Sequence, residues 1–344
     1  MSGSAPSQLR EGATSKRFLH ELLVRCLLLL LATAALNLLV DPFGTYGTRV
    51  FEPIVFSTRG PKLFLYEQRR PRPEIVVLGS SRSFTVEPAY IEARTSRRAF
   101  NAAVHGARLA DYLDLARCFS RDGAFPGIVI VGLGVEQVLG VGQPAERQEP
   151  LAKCHGPLGV SASRVAQRYR GLFTLEETWA SVRTLALDVR GRPAPRFTFA
   201  ADGLVLGSEL PPQERAKLEQ AVDDGLAGNW YPGIFAADGL EPRSVAQLQQ
   251  LLELCRDKRA RVVVYIPPFH PRATARYLRE SHFGRLKAQL LDQLASWEAG
   301  FPLKVYDFTD VSQFGGSEEM FYDASHPTMQ AYRRMLDVML PALI

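Results

Sequence analysis

The sequence predicts an α/β fold: a parallel sheet flanked by helices in a three-layer sandwich, preceded by one N-terminal transmembrane helix. Three observations lead there. Short β-branched runs are apolar on both faces, as buried parallel strands are. Amphipathic helical patterns alternate with those runs, which argues for strand–helix–strand crossovers. An unbroken apolar stretch near the N-terminus is long enough to cross a bilayer.

That stretch runs from Leu22 to Val40, interrupted only by Arg25 and Asn37. Nineteen helical residues at 1.5 Å each span roughly a bilayer core. Arg25 sits where its side chain reaches the headgroups, and Asp41-Pro42-Phe43-Gly44 stops the helix. Residues 1–21 form a tail whose Arg10, Lys16 and Arg17 favour a cytoplasmic N-terminus, sending residues 42–344 across the membrane. Arg49, Arg59 and Lys62 follow on the far side and weaken that bias. Ala32-Thr33-Ala34 offers a signal-peptidase-like triplet, but the apolar run continues beyond it to Val40, so an uncleaved anchor is expected.

Residues 42–73, rich in Gly, Pro and Arg, read as a linker with short structure, and the α/β domain occupies 74–344. Its strands are expected at 74–78, 127–132, 261–266 and 303–306. Helical patterns cover 107–119, 244–255, 283–295 and 328–340. Residues of about 140–240 fit the alternation poorly and are expected to form a helical or irregular insertion.

Composition narrows the function classes. The 344 residues carry a formal charge of +5, spread along the chain, with no aromatic-interleaved basic stripe; no nucleic-acid partner is expected. Of the four cysteines, Cys26 lies in the apolar run, while Cys118, Cys154 and Cys255 leave room for one disulfide of undetermined pairing. None forms a CxxC or stands at metal-ligand spacing from a His, so no metal and no cofactor are expected. Gly132-x-Gly134 after a strand lacks the third glycine of a dinucleotide fingerprint, that position being Gln137, and no Walker motif occurs.

In open parallel sheets, ligands bind beyond the carboxyl ends of the strands. The first strand ends in Gly79-Ser80-Ser81-Arg82-Ser83, a tight turn whose serines serve either as a helix cap or as a nucleophile. A serine needs a base. Six histidines are present, and only His326 has an acid three residues before it, Asp323, in a loop opening the last helix. Asp307 and Asp310, after the fourth strand, are alternative acids; His105 lies in a loop ending at Gly106, and His270 follows the third strand in a loop placed to line the pocket. Arg82 is placed either to bind an anionic substrate group or to pair with a carboxylate.

Gly79-Ser80-Ser81 and Asp323-Ala324-Ser325-His326 together resemble the first and last blocks of SGNH (GDSL-like) hydrolases. The resemblance covers roughly residues 70–135 and 260–340. It implies a flavodoxin-like three-layer sandwich in which Ser81 is the nucleophile and His326 and Asp323 complete a triad. It further implies that Gly106 supplies the second oxyanion N–H. The family's third block offers an Asn; here the second strand runs into Gly132-Leu133-Gly134-Val135-Glu136 without one, and Asn101 is the candidate substitute. The Gly-Ser-Ser-Arg form with a single anchor looks most like membrane-bound members acting on cell-envelope polymers, relatives of D-alanylation and alginate O-acetylation proteins. That likeness implies a serine esterase or O-acyltransferase at the outer face of the cytoplasmic membrane, acting on acyl esters of a polysaccharide or glycan. A membrane-bound acyltransferase is the implied partner. The alternatives are a non-catalytic binding or assembly component of an envelope-polymer complex, and a phosphate- or nucleotide-binding protein at the Gly79 turn.

Overall fold

The computed structural model describes residues 7–42, 46, 48, 50–51, 58–121, 125–139, 169, 171–191, 198–206, 215–228 and 231–344. The chain divides into two compact units, one of Met1–Phe56 with Pro157–Ala194 and the other of Ser57–Gly156 with Pro195–Ile344. Residues 140–168 of the expected insertion, with Cys154 and His155, and Phe43-Gly44 of the helix stop, lie outside the described residues.

The first unit is helical. Helix α1, Ser7–Val40, contains the apolar segment Arg17–Val40, which is long and apolar enough to cross a membrane. It ends at Asp41, in the left-handed region at φ 45°, whose carboxylate accepts the backbone N–H groups of Tyr46 and Thr48.

In the second unit the chain runs through α2 (Arg59–Gln68), β1 (Ile75–Leu78), α3 (Pro88–Thr95), β2 (Ala99–Asn101), α4 (Leu109–Arg121) and β3 (Ile128–Gly132). Helix α5 (Leu175–Val189) belongs to the first unit. The second unit resumes with the hairpin β4 (Thr198–Phe199) and β5 (Val205–Leu206), then α6 (Arg215–Ala227), α7 (Pro232–Ala236) and α8 (Pro242–Asp257). It closes with β6 (Arg261–Ile266), α9 (Pro271–Glu280), α10 (Phe283–Glu298), β7 (Leu303–Asp307) and α11 (Met329–Leu343).

The five long-sheet strands are parallel, in the order β2-β1-β3-β6-β7. Alternate residues feed two cores. Val76, Leu78, Val129, Val131, Val262 and Val264 pack with α4, α8 and α10, while Ile75, Val77, Ile128, Ile130 and Val263 pack with α3 and α11. This double burial is why β1, β3 and β6 carry no polar alternation. After β1 the chain steps outward to β2 and then returns to the other side of β1 with β3. That makes the β1/β3 boundary the topological switch point, the place where ligands bind beyond the strand ends of open α/β sheets.

The sequence reading differs from the structure at the sheet edge. The short structure expected within 42–73 includes α2, and its Lys62, Leu63 and Tyr66 are buried in the second unit, so this part of the span is not a linker. Pro61 sits in the first turn of α2, where its missing N–H breaks no helical bond. Strand β2, three residues long, is too short to leave a periodicity. Cys118 is disulfide-bonded, its partner lying outside the described residues, while Cys26 and Cys255 are free thiols. Burial pushes the Cys255 thiol up to about 12.

Lys62 anchors this edge. Its fully buried Nζ donates to the Asn101 carbonyl at 2.7 Å and to the Gly203 carbonyl of the β4–β5 hairpin, between the Phe84 and Phe199 rings. Burial lowers its pKa from 10.5 to about 7, against the pull of Asp202. Because the folded value lies below the unfolded one, the unfolded chain binds more protons between about pH 7 and pH 10.5. Stability should therefore rise with pH across that window, and Lys62→Met should flatten the rise; thermal unfolding midpoints of both chains across the window check this.

Candidate active site

The site is assembled at the carboxyl ends of β1, β3 and β6 by tight turns. Gly79, the residue after β1, and Gly132, the last of β3, leave room for Ser83: a Cβ on either would come within 2.4 Å of the Ser83 hydroxyl oxygen. Tyr265 at the end of β6 donates to that oxygen at 2.7 Å. Between them the chain makes a single 3-10 turn, Ser81–Ser83, which leaves Ser81 half-buried at the rim.

Ser81 Oγ lies 3.0 Å from His326 Nε2, and His326 Nδ1 lies 2.7 Å from Asp323 Oδ2. The loop explains why Asp323 and His326 stand three residues apart. Asp323 Oδ1 accepts the N–H groups of Ser325 at 2.7 Å and His326 at 2.9 Å, an Asx-type turn that frees Oδ2 for the imidazole. The Ser325 hydroxyl is also close, 3.2 Å from both Asp323 Oδ1 and His326 Nδ1. Burial pushes the Asp323 carboxyl up, but the His326 hydrogen bond and charge and the two N–H donors outweigh it. The net effect holds the carboxyl below the usual carboxylate range. A carboxylate held ionised against Nδ1 presents Nε2 as the proton acceptor to Ser81.

The alternative acids are elsewhere. Asp307 pairs with Lys287 at 2.9 Å and accepts from Thr309, and Asp310 caps the short helix Val311–Phe314. His270 caps α9, its Nδ1 accepting the Arg272 N–H, and burial lowers its pKa. His105 lies in the turn before α4, its N–H donating to Thr58 Oγ1.

Arg82 is 1% exposed and turned inward, with all five guanidinium N–H donors engaged. Nη1 donates to both Glu136 oxygens at 2.9 and 3.1 Å, Nη2 to the Pro267 and Pro268 carbonyls at 2.8 Å each, and Nε to the Ser325 carbonyl at 3.2 Å. The guanidinium also stacks on Phe269, 3.8 Å from its centroid. Burial opposes its charge, but Glu136 more than compensates and raises its pKa. Of the two roles open to Arg82 from the sequence, the structure places it in the carboxylate pair.

Asn101 is likewise committed. Its Nδ2 donates to the carbonyls of Ser83, Phe84 and Val86, and its Oδ1 accepts the Ala103 N–H, so the side chain braces the serine turn from behind. Gly106 occupies a turn at φ 57°, a left-handed conformation suited to glycine. The turn follows Val104, whose N–H bonds the Gly79 carbonyl and draws the 104–106 loop against the serine turn.

Two residues of this site carry no signal that the sequence reading caught. Glu136, at the position after β3 where an Asn was sought, is the carboxylate paired with Arg82, and Gly134 makes room for it. Tyr231, from the poorly patterned insertion, is half-buried with its ring edge-on to Phe269. Burial and the Glu136 carboxylate push its pKa up. Among the described residues, no cluster of His, Cys, Asp or Glu has the makings of a metal site.

No protein-family model matches the chain, and no curated protein matches it. Among solved structures, the chain is similar to a "putative platelet activating factor" from Streptococcus pneumonia, at 9% identity and a TM-score of 0.42, over 83% of this chain and 91% of that one. It is also similar to a "putative acylhydrolase" from Bacteroides fragilis, at 9% identity and a TM-score of 0.38, over 83% of this chain and 93% of that one.

The lowered Asp323 value fixes a sign. The stability this carboxylate contributes is complete above the ordinary range near pH 3.9 and is lost as pH falls through the lower folded value. Asp323→Asn should unfold at a lower temperature than the parent chain at neutral pH, by a gap that narrows below about pH 4. Circular dichroism melts from about pH 3 to about pH 7 would measure that gap.

Proposed function

We propose that this protein is a serine-dependent acyl-ester enzyme, anchored in the cytoplasmic membrane with its α/β domain outside. The observation that carries the reading is the continuous relay from Ser81 Oγ to His326 Nε2 at 3.0 Å and from His326 Nδ1 to Asp323 at 2.7 Å. In the reaction, Ser81 Oγ attacks the ester carbonyl as its proton passes to His326 Nε2. Asp323 holds the Nδ1–H and offsets the imidazolium charge. The tetrahedral oxyanion collapses, and the alcohol leaves with the proton from His326, giving an acyl-Ser81. Water or a sugar hydroxyl then repeats the sequence in reverse, which makes the enzyme an esterase or an O-acyltransferase. The N–H groups of Ser81 and Gly106 are the oxyanion donors in this reading, since Asn101 Nδ2 is spent on backbone carbonyls.

The placement outside the membrane draws on two features. One is the helix long enough to span, with Arg17 at its amino end. The other is the disulfide at Cys118, a bond that persists in oxidising compartments. An enzyme tethered there meets acyl esters of envelope polysaccharides or glycans, with a membrane-bound acyltransferase as the natural partner. The rival, a non-catalytic binding component, rests on one observation: the side chains of Asn101 and Arg82 serve the scaffold instead of an oxyanion or an anionic substrate.

A serine-reactive fluorophosphonate and a small acetyl ester, applied to the full chain in detergent, decide between the two. The enzyme reading predicts labelling and turnover in the parent chain, and a loss of at least about 10³-fold in both Ser81→Ala and His326→Ala. A folded parent chain that neither labels nor turns over would instead favour the binding component.

A further inference from the structure

Helix α5 is amphipathic in the inverted sense. Its outer stripe is apolar: Leu175 is 89% exposed, Trp179 72% and Val189 89%, with Val182 also exposed. These positions follow one another at spacings of four, three and seven, so they share a single face. The opposite face is polar or small and is the buried one, made of Glu177, Ala180, Ser181 and Thr184.

That inner face packs on α1 through Asn37, a polar residue within the apolar run. The Asn37 amide donates to the Leu172 carbonyl at 2.9 Å and to Thr178 Oγ1 at 3.0 Å, and its oxygen accepts from Ser181 Oγ at 2.8 Å. In water the pattern is backwards, because a helix packed on a protein buries its apolar stripe. In a bilayer it is the expected one: small and hydroxyl residues with an amide join the helices, and apolar residues turn to lipid.

We infer that α5 is a second membrane-contacting element, lying at the bilayer surface with Leu175, Trp179, Val182 and Val189 in the acyl-chain boundary of the outer leaflet. The inference rests on the reading of α1 as a membrane span. Lipid is the occupant because the stripe continues a lipid-facing surface. Asn37 sits three residues before the end of the spanning segment, and its neighbours Leu38 and Leu39 are themselves exposed. Fifteen residues are too few to cross a bilayer but suffice for an interfacial helix, and an indole at the boundary is the usual interfacial anchor.

The test uses the full chain in phosphatidylcholine vesicles, with ordinary or brominated acyl chains that quench a nearby indole. Alkaline carbonate should leave the parent chain with the vesicles. Brominated lipid should quench its tryptophan emission, and that lipid-dependent quenching should be largely lost in Trp179→Phe. It should return when Val182→Trp is added on the same stripe. Extraction of the parent chain by carbonate would overturn the spanning reading and the inference together. Retention with equal quenching in parent and Trp179→Phe, or with none in the parent, would overturn the α5 inference alone and assign the stripe to a protein neighbour.

Discussion

The buried guanidinium of Arg82 is the constraint on which the site depends. An arginine that is 1% exposed carries a large desolvation cost, offset only if every donor is met and a counter-charge is at hand. Here Glu136 comes from the turn after β3, two carbonyls come from the turn after β6, and the third carbonyl is that of Ser325. Arg82 itself follows Ser81, and Ser325 precedes His326. Three loops that share no strand are therefore held to one planar group, and Ser81 and His326, the neighbours in sequence of Arg82 and Ser325, lie 3.0 Å apart. Removing one partner of such a pair strands the other, at a cost of about 3–5 kcal/mol, so the arrangement tolerates little looseness.

Around that clamp the polar groups form shells with distinct tasks. Asn101 and Tyr265 fix the back of the serine turn, Tyr332 donates to the Arg82 carbonyl, and Thr85 donates to the Pro327 carbonyl beyond the histidine. Asp323 spends one oxygen on its own turn and the other on the imidazole. The half-exposed groups are thus Ser81, His326 and their rim, whereas the charges that organise them are buried. The same logic holds in the first unit, where Asn37 is fully satisfied by α5 and its neighbours, so that a polar residue joins two helices within an apolar surface.

How much of this was legible in the sequence follows from the range of each interaction. Strands β1, β3 and β6 announced themselves because burial on both faces is written in consecutive residues, and the helices α4, α8, α10 and α11 because their packing repeats every turn. Strand β2 and helix α2 did not: three residues carry no period, and Gly60-Pro61 reads as a breaker when it in fact opens a helix. Asp323 and His326 were legible as a pair because one turn joins them, and Ser81 because a glycine turn follows a strand. The commitments of Arg82 and Asn101 were not, since Glu136 lies 54 residues from Arg82 and the carbonyls that Asn101 holds become neighbours only once β2 docks beside β1. Tyr231 gave no signal, standing alone in a segment without a readable pattern.

The central claim is that the Arg82 clamp aligns Ser81 with His326 for proton transfer. The most direct test is the rate at which a fluorophosphonate labels Ser81 in Arg82→Lys, in a chain shown by its thermal unfolding to be folded. Lysine keeps the charge but not the fork that reaches Glu136, two prolines and Ser325 together. The account predicts a labelling rate lower by at least about tenfold, equivalent to about 1.4 kcal/mol. Labelling at the parent rate would contradict it, and would mean that Ser81, His326 and Asp323 hold their geometry without the clamp.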